Sequence, residues 1–530
     1  MKRSSNKKTD SALIEKTCKW AIMIYMAADD ARAIRESFIF LKELDIICQK
    51  IEAKEGNRSV RMLLQIYTDW DESNRGRNFE ARRIEIDQEF SSENLIHNAK
   101  FTSLGNQPMG TAASLSEFIN WCKLRCNAEN YLLFLWGHGT GSGMFSTDLE
   151  ESYYDIKKAF PSLEISVVNG QGAEKIITDV RDFTHEENSL FEQNNILKLQ
   201  IKFRGSDNSD ISDRFIIRKR KTDFYKKNNA ENSISVFDLL PDDSGAGQLN
   251  PETEKLRKYI VSRSQLDGLF EGEIRESLKN NEIDLLLIMG CCMQMVEFGY
   301  EIRKKCKYMV ASEELIYFNG YNYLDSFTAL FEYPDMSPRQ LGKRLVQDTP
   351  LKKSYSEFEK HVLAISCVDL KKNVRLANYL DEFALSISNS KSNGELKKLI
   401  RKARRKCRHF GENSYTYSFI DLTWFMKKFN ELIETDKSKS RLYKLSDKII
   451  RHLEHNYIIE SWIGNRRTPS LVRKQSYGGH GVGIYFPQSK QVHKENGDLG
   501  IPFEKNGNGR MNLFTKDKNW SKIIFPETKK

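Results

Sequence analysis

Long hydrophobic runs, a cysteine framework and clustered histidines are all missing from this 530-residue sequence. No stretch reaches the roughly 18 apolar residues of a membrane span, so we predict a soluble chain with no membrane partner. The nine cysteines are odd in number and show no disulfide pattern, which favours free thiols and a reducing, cytoplasmic location. The nine histidines lack metal-ligand spacing, so neither a metal site nor a cofactor is expected.

A strong excess of one charge is also missing. The 83 basic residues face 73 acidic ones, and this net charge of +10 is too diffuse to predict a nucleic-acid partner. The segment 395–410 is locally basic and reads as a helix with an apolar stripe of Leu396, Leu399, Ala403 and Cys407. Its basic face fits either an acidic partner or plain solvation, and solvation is the commoner case.

Apolar residues make up 39% of the chain, enough for two or three packed units at this length. Apolar segments of strand length recur, and they predict strands at Trp20–Ala28, Val60–Thr68, Tyr131–Trp136, Ile283–Met289, Tyr308–Ala311 and His361–Val368. Because most are apolar throughout rather than alternating, they are typical of parallel strands covered on both faces. Helical patterns at Thr111–Cys126 and Gln294–Cys306 lie between them, so the predicted fold class is α/β.

Composition also predicts the domain organisation. We expect a flexible N-terminus at 1–18, an α/β domain at 19–350 and a mainly helical region at 351–530. The first strand also fits a signal peptide, but the acidic Asp10 and Glu15 before it favour a strand. The C-terminal region is predicted to contain helices at Asn373–Ile387, Phe419–Ile433 and Arg441–Ile458 and a late strand at 481–487. The polar stretch 150–240 is interpreted as an insertion that holds a hairpin of Ile165–Val168 and Leu197–Phe203.

Two predicted strands end in residues capable of chemistry. The segment "YLLFLWGHGTGSG" ends a strand at His138 between two glycines, and "DLLLIMGCCMQMVE" ends one at Cys291 and Cys292. Sites in open α/β sheets form beyond the carboxyl ends of strands, so a His–Cys dyad is one interpretation and an ordinary turn histidine is the other. A helix start after Cys291 would favour its thiolate, and the amides of Gly139 and Cys291 would form an oxyanion hole. Cys292 is interpreted as a buried packing residue.

At these residues the chain resembles the clostripain family of cysteine peptidases, which shares a caspase-like fold. The matching stretches run from residue 20 to 487 and are "WAIMIYMAADD", "MGTAASLSEFINW", "YLLFLWGHG", "IDLLLIMGCCMQMVEFGYEI", "YMVASEELI" and "GVGIYFP". The resemblance implies a caspase-like, mostly parallel sheet flanked by helices in the α/β domain. With Met293 and Glu297 aligned on the family pattern, the family's nucleophile falls on Cys291 and its histidine on His138.

The sequence departs from the family at the substrate pocket. The two positions where the family keeps acids for a substrate Arg or Lys are Met289 and Asn319 here. A buried cation in that pocket would lack a counter-charge, at a cost of several kcal/mol. The interpretation is therefore a peptidase whose preferred residue before the cleaved bond is uncharged.

The resemblance further implies a cysteine endopeptidase that acts on a protein substrate and is latent until activated. The family is processed between its histidine and cysteine segments, so the insertion at 150–240 is predicted to lie across the cleft as an activation segment. An activating protease or a regulatory protein is then the expected partner. Two alternatives stay open: a pseudo-peptidase that binds a partner through the former substrate cleft or the basic helix at 395–410, and a thiol sensor using Cys291–Cys292. The sensor is the weaker, because adjacent cysteines close only a strained ring.

Overall fold

The structure is a computed structural model, and its described residues are 17–28, 31–52, 59–70, 79–86, 90–92, 101–105, 107, 109–139, 143–145, 164–168, 174–177, 196–204, 210–219, 237–241, 268–351, 363–390, 393–407, 410, 418–433, 440–464, 479–488 and 513–524. Most of the predicted flexible N-terminus, residues 1–16, lies outside them. The chain divides into two compact units, one formed by Met1–Ser146 together with Gly268–Lys530 and the other by Thr147–Asp267. The predicted boundary at residue 350 therefore does not separate two units.

Strands are numbered along the chain. In the described residues they are β1 Thr17–Ala28, β2 Val60–Asp69, β3 Phe79–Ile86, β4 Thr102–Ser103, β5 Asn127–Trp136, β6 His138–Gly139, β7 Gly143–Phe145, β8 Glu164–Val168, β9 Glu174–Ile177, β10 Ile196–Arg204, β11 Asp210–Lys219, β12 Phe237–Pro241, β13 Gly268–Phe270, β14 Ile283–Met289, β15 Cys306–Ser312, β16 Leu363–Asp369, β17 Phe419–Asp421, β18 Ile458–Gly464 and β19 Gly483–Tyr485. The six strands predicted from apolar runs are confirmed as β1, β2, β5, β14, β15 and β16.

Helices are numbered in the same way. The described ones are α1 Ala31–Glu52, α2 Ala112–Arg125, α3 Glu271–Ser277, α4 Val296–Ile302, α5 Tyr323–Glu332, α6 Pro338–Asp348, α7 Asn373–Ser388, α8 Asn393–Arg405, α9 Leu422–Ile433, α10 Ser440–His452, α11 Leu513–Asp517 and α12 Ser521–Ile524. Among the described residues, none of these helices is both long and apolar enough to cross a bilayer.

Nine of the described strands form one mixed sheet in the order β18–β16–β15–β14–β5–β1–β2–β3–β4. The five central strands, β15, β14, β5, β1 and β2, run parallel, as their apolar sequences predicted. The antiparallel strands β3 and β4 at one edge and β16 and β18 at the other complete it. Because β16 and β18 follow residue 350, the C-terminal region contributes to the sheet as well as supplying helices.

Side chains of the central strands alternate between two buried layers. Leu133 and Leu135 of β5 pack in the layer that contains α2 and the C-terminal helices. Phe134 and Trp136 of the same strand pack in the opposite layer, with α1, α5 and α6. Burial on both faces explains why these strands are apolar at successive positions.

The C-terminal region differs from its prediction at two helices. The helix expected at Arg441–Ile458 corresponds to α10, which ends at His452; a π-helical turn follows at Leu453–Tyr457, and Ile458 begins β18. The helix expected at Phe419–Ile433 begins at Leu422, because Phe419–Asp421 forms β17 and pairs with β19. The amphipathic pattern of α8 is confirmed, since Leu396, Ile400 and Ala403 are buried. Arg404 of this basic helix is also buried, and its Nε donates to the carbonyl of Phe486 at 2.6 Å.

The second unit, Thr147–Asp267, contains an antiparallel sheet of five described strands in the order β12–β11–β10–β8–β9. The predicted pairing within the insertion is confirmed, since β8 and β10 are antiparallel and Ile165 faces Ile201. The connection is not a simple hairpin, because β9 follows β8 along the chain and pairs with its other side.

One prediction about the cysteines is wrong. Cys18 and Cys126 form a disulfide across a sequence separation of 108, with a Cα–Cα distance of 6.7 Å. They meet because β1 and β5 are parallel neighbours whose amino ends lie side by side, with Cys18 opposite Ala128. The prediction of a reducing environment rested on the absence of disulfides, so the Cys18–Cys126 bond removes its support. The cytoplasmic location stays a prediction.

Candidate active site

The strands β5 and β14 bring the two candidate catalytic residues to one edge of the sheet. They are parallel neighbours, and their last residues, Trp136 and Met289, lie opposite each other. The amide of Gly137 donates to the Met289 carbonyl at 3.1 Å, so the pairing of the two strands extends one residue beyond β5. His138 and Cys291 therefore emerge side by side at the carboxyl ends, where sites in α/β sheets form.

The backbone of Gly139 lies close to the backbone of Cys291. A Cβ added to Gly139 would lie 2.8 Å from the carbonyl oxygen of Cys291 and 2.9 Å from its nitrogen. Only glycine leaves room for this contact, which real Cβ atoms do not tolerate. The two peptide units proposed for an oxyanion hole, those of Gly139 and Cys291, thus lie against each other.

His138 also belongs to a small three-stranded sheet in the described residues, ordered β13–β7–β6. In it His138 faces Phe145 of β7, and Gly268 of β13 faces the same residue from the other side. The chain leaves toward the inserted unit after β7 and returns at β13. The two strands that flank the second unit in sequence, β7 and β13, are therefore paired with each other, and β7 also pairs with the strand that carries His138.

The two adjacent cysteines have different surroundings. Cys291 is partly exposed, and its Sγ lies 3.4 Å from the amide nitrogen and 3.5 Å from the carbonyl oxygen of Ile316. Cys292 is fully buried, adopts a left-handed φ of 58°, and donates its amide to the Glu314 carbonyl at 3.1 Å. Burial raises the pKa of the Cys292 thiol well above its ordinary value, so this thiol stays protonated. The prediction that Cys292 is a packing residue is confirmed.

The helix predicted to start beside the nucleophile starts later. Helix α4 begins at Val296, because the preceding residues form a turn whose amides bond to β15 and the loop after it. The Gln294 amide, for example, donates to the Ser312 carbonyl at 2.9 Å. The expected support of the Cys291 thiolate by a helix N-terminus is therefore not present at that residue.

His138 is partly exposed and lies against an aromatic side chain. Its imidazole meets the ring of Phe318 edge to face, with centroids 4.9 Å apart at 74°. The ring of Phe318 also stacks on the ring of Trp136, with the two centroids 4.5 Å apart. The loop that follows β15 thus contacts both candidates, Cys291 through Ile316 and His138 through Phe318.

The two predicted pocket residues lie in the layer that contains α1. Met289 is 1% exposed, and Asn319 is fully buried with a left-handed φ of 60°. The amide of Asn319 donates to the Glu36 carbonyl at 3.0 Å and to its carboxylate at 2.9 Å, and its oxygen accepts from the Tyr323 hydroxyl. Glu36 also binds Arg35 at 3.0 Å. An acid therefore does lie beside Asn319, and it is already bound to a cation and to an amide.

Glu297, a residue that set the alignment of the nucleophile, links this region to the C-terminal strand. It is buried, and its carboxylate accepts from the Tyr485 amide of β19 at 2.9 Å. Burial raises the pKa of Glu297 to about 7. The stretches "GCCMQMVE" and "GVGIYFP", far apart in sequence, are therefore in direct contact.

Three residues of the site were not anticipated: Ile316, Phe318 and Glu36. Ile316 acts through its backbone, which no side-chain pattern reveals. The aromatic residue before "NG" in "YFNGY" is a visible signal for Phe318, because a turn directly after a strand end places its neighbours near the site. Among the described residues, no group of three or more His, Cys, Asp or Glu side chains is placed to hold a metal ion.

A cysteine and a histidine at adjacent strand ends are the residue types that cysteine peptidases use for catalysis. A sequence model of the clostripain family matches residues 243–525, more than half of the chain. The chain therefore belongs to the clostripain family of cysteine peptidases. The predicted α/β fold class and the predicted hydrolase class are confirmed.

Several solved structures are similar to this chain. An inactive zymogen C11 protease from Parabacteroides distasonis is 13% identical with a TM-score of 0.47, and the alignment covers 97% of this chain and 99% of that one. A secreted C11 cysteine protease from Bacteroides thetaiotaomicron, in complex with an irreversible peptide inhibitor, is 13% identical with a TM-score of 0.46, covering 96% and 99%. No curated protein matches the sequence.

Proposed function

We propose that this chain hydrolyses internal peptide bonds of a protein substrate through a dyad of His138 and Cys291. The observation that carries the proposal is the contact of Gly139 with the Cys291 backbone, because it holds both reactive residues at one edge of the sheet. The partial exposure of His138 and Cys291 supports it, since a substrate must reach both. The cytoplasm remains the proposed location.

In the proposed reaction the Cys291 thiolate attacks the scissile carbonyl carbon after His138 has taken the thiol proton. The oxyanion that forms is stabilised by the amide N–H groups of Gly139 and Cys291. His138 donates its proton to the leaving amine, the C–N bond breaks, and the acyl group remains on Sγ as a thioester. Water, deprotonated by His138, then attacks the thioester and regenerates the thiol.

The Ile316 backbone supports this chemistry at the sulfur. A thiol at Cys291 can donate to the Ile316 carbonyl at 3.5 Å, and a thiolate can accept from the Ile316 amide at 3.4 Å. A hydrogen bond to the charged form favours that form. The same peptide segment can therefore hold Sγ in both protonation states.

Labelling with peptidyl acyloxymethyl ketones tests the function. Such a reagent forms a thioether with an activated thiolate, so we expect mass spectrometry to find the label on Cys291 of the wild type. His138→Ala should lose the label, because the proton acceptor is gone, and buried Cys292 should never carry it. A chain that binds the reagent's peptide but is never labelled would instead be a pseudo-peptidase that holds a partner in the cleft.

We propose that the residue before the cleaved bond is uncharged. Met289 offers no counter-charge, and the amide of Asn319 is engaged by Glu36 and Tyr323. Cleavage-site profiling on a denatured proteome should therefore give small or apolar residues at this position, while Met289→Asp should raise the share of Arg and Lys. A wild-type profile dominated by Arg or Lys would contradict the proposal, and loss of that preference in Glu36→Gln would then identify the acid responsible.

We further propose that the peptidase is latent until the insertion is cut or a regulatory protein binds it. The small sheet of β6, β7 and β13 supports this, because the strands that precede and follow the second unit in sequence lie in the same sheet as His138. Arg218 and Lys219 of the basic run 218–227 lie in the paired strand β11, so the position chosen for cutting is Lys221, outside the described residues. A protease that accepts basic residues would have to make that cut if the pocket is uncharged.

A foreign protease site introduced at Lys221 tests latency. We expect nicking to raise hydrolysis roughly tenfold or more, by shifting the chain toward its active state. The same nick in the Cys291→Ala chain is the control, because it should give no activity and so exclude a contribution from the added protease. Unchanged activity with both fragments still associated would show that the insertion does not control the enzyme.

A further inference from the structure

The loop between β15 and α5, residues 313–322, contacts both members of the proposed dyad. Its Ile316 backbone lies 3.4 and 3.5 Å from Cys291 Sγ, and its Phe318 ring meets the His138 imidazole at 4.9 Å. The loop reaches the site from a third strand, one position further along the sheet than β14. It can therefore set the position of one reactive group relative to the other.

Phe318 is itself firmly held. Its ring stacks on Trp136 at 4.5 Å with an interplanar angle of 26°, and the residue is only 8% exposed. Trp136 is the last residue of β5, two positions before His138, so the tryptophan ring is fixed by the same strand that presents the histidine. An imidazole packed edge to face against a held ring has fewer orientations open to it.

The rest of the loop is fixed at two further points. Asn319 adopts a left-handed backbone conformation, which asparagine tolerates better than most residues, and its buried amide binds Glu36 of α1. The hydroxyl of Tyr321 donates to the carbonyl of Ile288 in β14 at 3.2 Å. Both contacts follow Phe318 within three residues, and they tie the segment that carries its ring to α1 and to the nucleophile's strand.

We propose that Phe318 is the positioning residue of the dyad: its ring orients the His138 imidazole toward Cys291, and Asn319 fixes the loop that carries it. The inference rests on the proposed peptidase function. An aromatic ring exchanges no proton with imidazole, so Phe318 acts on geometry alone and through His138. It also gives Asn319 a role in place of the acid that the family keeps at this position.

The test compares Phe318→Leu with Phe318→Tyr in the full-length chain. Phe318→Leu is expected to lower kcat roughly 10- to 100-fold with KM changed less than about twofold, because a misplaced reactive group slows the chemical step more than binding. Phe318→Tyr should retain most of kcat, since it keeps the ring. Phe331→Leu is the matched control, because Phe331 packs in the same layer, is 7% exposed and lies near the end of α5 rather than in the loop 313–322.

A second readout does not require turnover. The rate of Cys291 alkylation by iodoacetamide, followed against pH, reports how much of Sγ is thiolate at each pH. Phe318→Leu should shift this profile in the same direction as His138→Ala, and Phe331→Leu should match the wild type. If the wild type hydrolyses no peptide, the peptidase function fails, and the alkylation profile still tests whether Phe318 positions His138.

Three results would overturn the proposal. A higher KM with unchanged kcat in Phe318→Leu would show that the ring binds substrate. Equal loss of kcat in Phe331→Leu would show a general effect of packing. A Phe318→Leu alkylation profile identical to that of the wild type, while His138→Ala differs, would show that the imidazole does not need the ring.

Discussion

Cys291→Ala and His138→Ala should each lower peptide hydrolysis by about 10,000-fold or more, whereas Cys292→Ala should retain most of it. The nucleophile and its proton acceptor act as one unit, so loss of either removes the covalent route. Cys292 differs because its thiol is fully buried and its raised pKa keeps it protonated. Steady-state hydrolysis of a peptide pool, with thermal unfolding of each variant measured in parallel, checks the expectation.

The adjacent cysteines make a matched pair of variants. Each substitution removes one sulfur from neighbouring positions, so a difference between them reflects the role of the thiol rather than the loss of a sulfur atom. If Cys292→Ala were inactive and Cys291→Ala active, the alignment of the nucleophile on Met293 and Glu297 would be wrong by one residue. If Cys291→Ala and Cys292→Ala both kept full activity, catalysis by a dyad of His138 and Cys291 would be excluded.

Gly139→Ala is expected to lower kcat/KM roughly 100-fold or more. The added Cβ would lie 2.8 Å from the Cys291 carbonyl oxygen and from Met293 Cγ, and 2.9 Å from the Cys291 nitrogen. Backbone atoms cannot rotate away as a flexible side chain can, so β6 must move away from the Cys291 turn. That movement separates His138 from Cys291 and displaces the oxyanion amides, and a shift of about 1 Å is enough for such a loss.

Two other glycines provide a graded control for Gly139→Ala. A Cβ on Gly394 in α8 would meet nothing within 4 Å, so Gly394→Ala should leave the kinetics unchanged. A Cβ on Gly290 would lie 3.3 Å from Gly139 Cα, so Gly290→Ala should give an intermediate loss. An active Gly139→Ala enzyme with normal alkylation of Cys291 would show that the two strand ends need not be in contact.

The sequence predicts the central sheet well because its signal is local. Apolar runs at 131–136 and 285–289 define β5 and β14, and the bounds of β14 agree with those predicted. Helix α2 is likewise defined by its own residues, since Thr111 caps it by accepting from the Ser114 amide. The outer strands β3, β4 and β18 were missed, because none has a continuous apolar run. Charged residues interrupt β3, β4 has only two residues, and most of β18 is partly exposed.

Site residues that belong to a local sequence motif could be predicted. Contacts between residues far apart in the sequence could not. His138 and Cys291 could be named because each follows a strand end. The contacts of Ile316 and Phe318 depend on β15 lying next to β14, and no local pattern fixes that order. The contact of Asn319 with Glu36 spans 283 positions, and only the assembled layer brings the two together.

The disulfide closes the chain from Cys18 to Cys126 into a covalent loop. It lies at the amino ends of β1 and β5, whereas His138 and Cys291 follow the carboxyl ends of β5 and β14. A closed loop of this length restricts the unfolded chain, which in the chain-entropy account corresponds to about 4–5 kcal/mol. Cysteine peptidases are handled in reducing buffers that keep the nucleophile as a thiol, and here the reductant has a second target. Dithiothreitol that keeps Cys291 reduced can also reduce the Cys18–Cys126 disulfide. The buffer that preserves the nucleophile can therefore lower the stability of the fold.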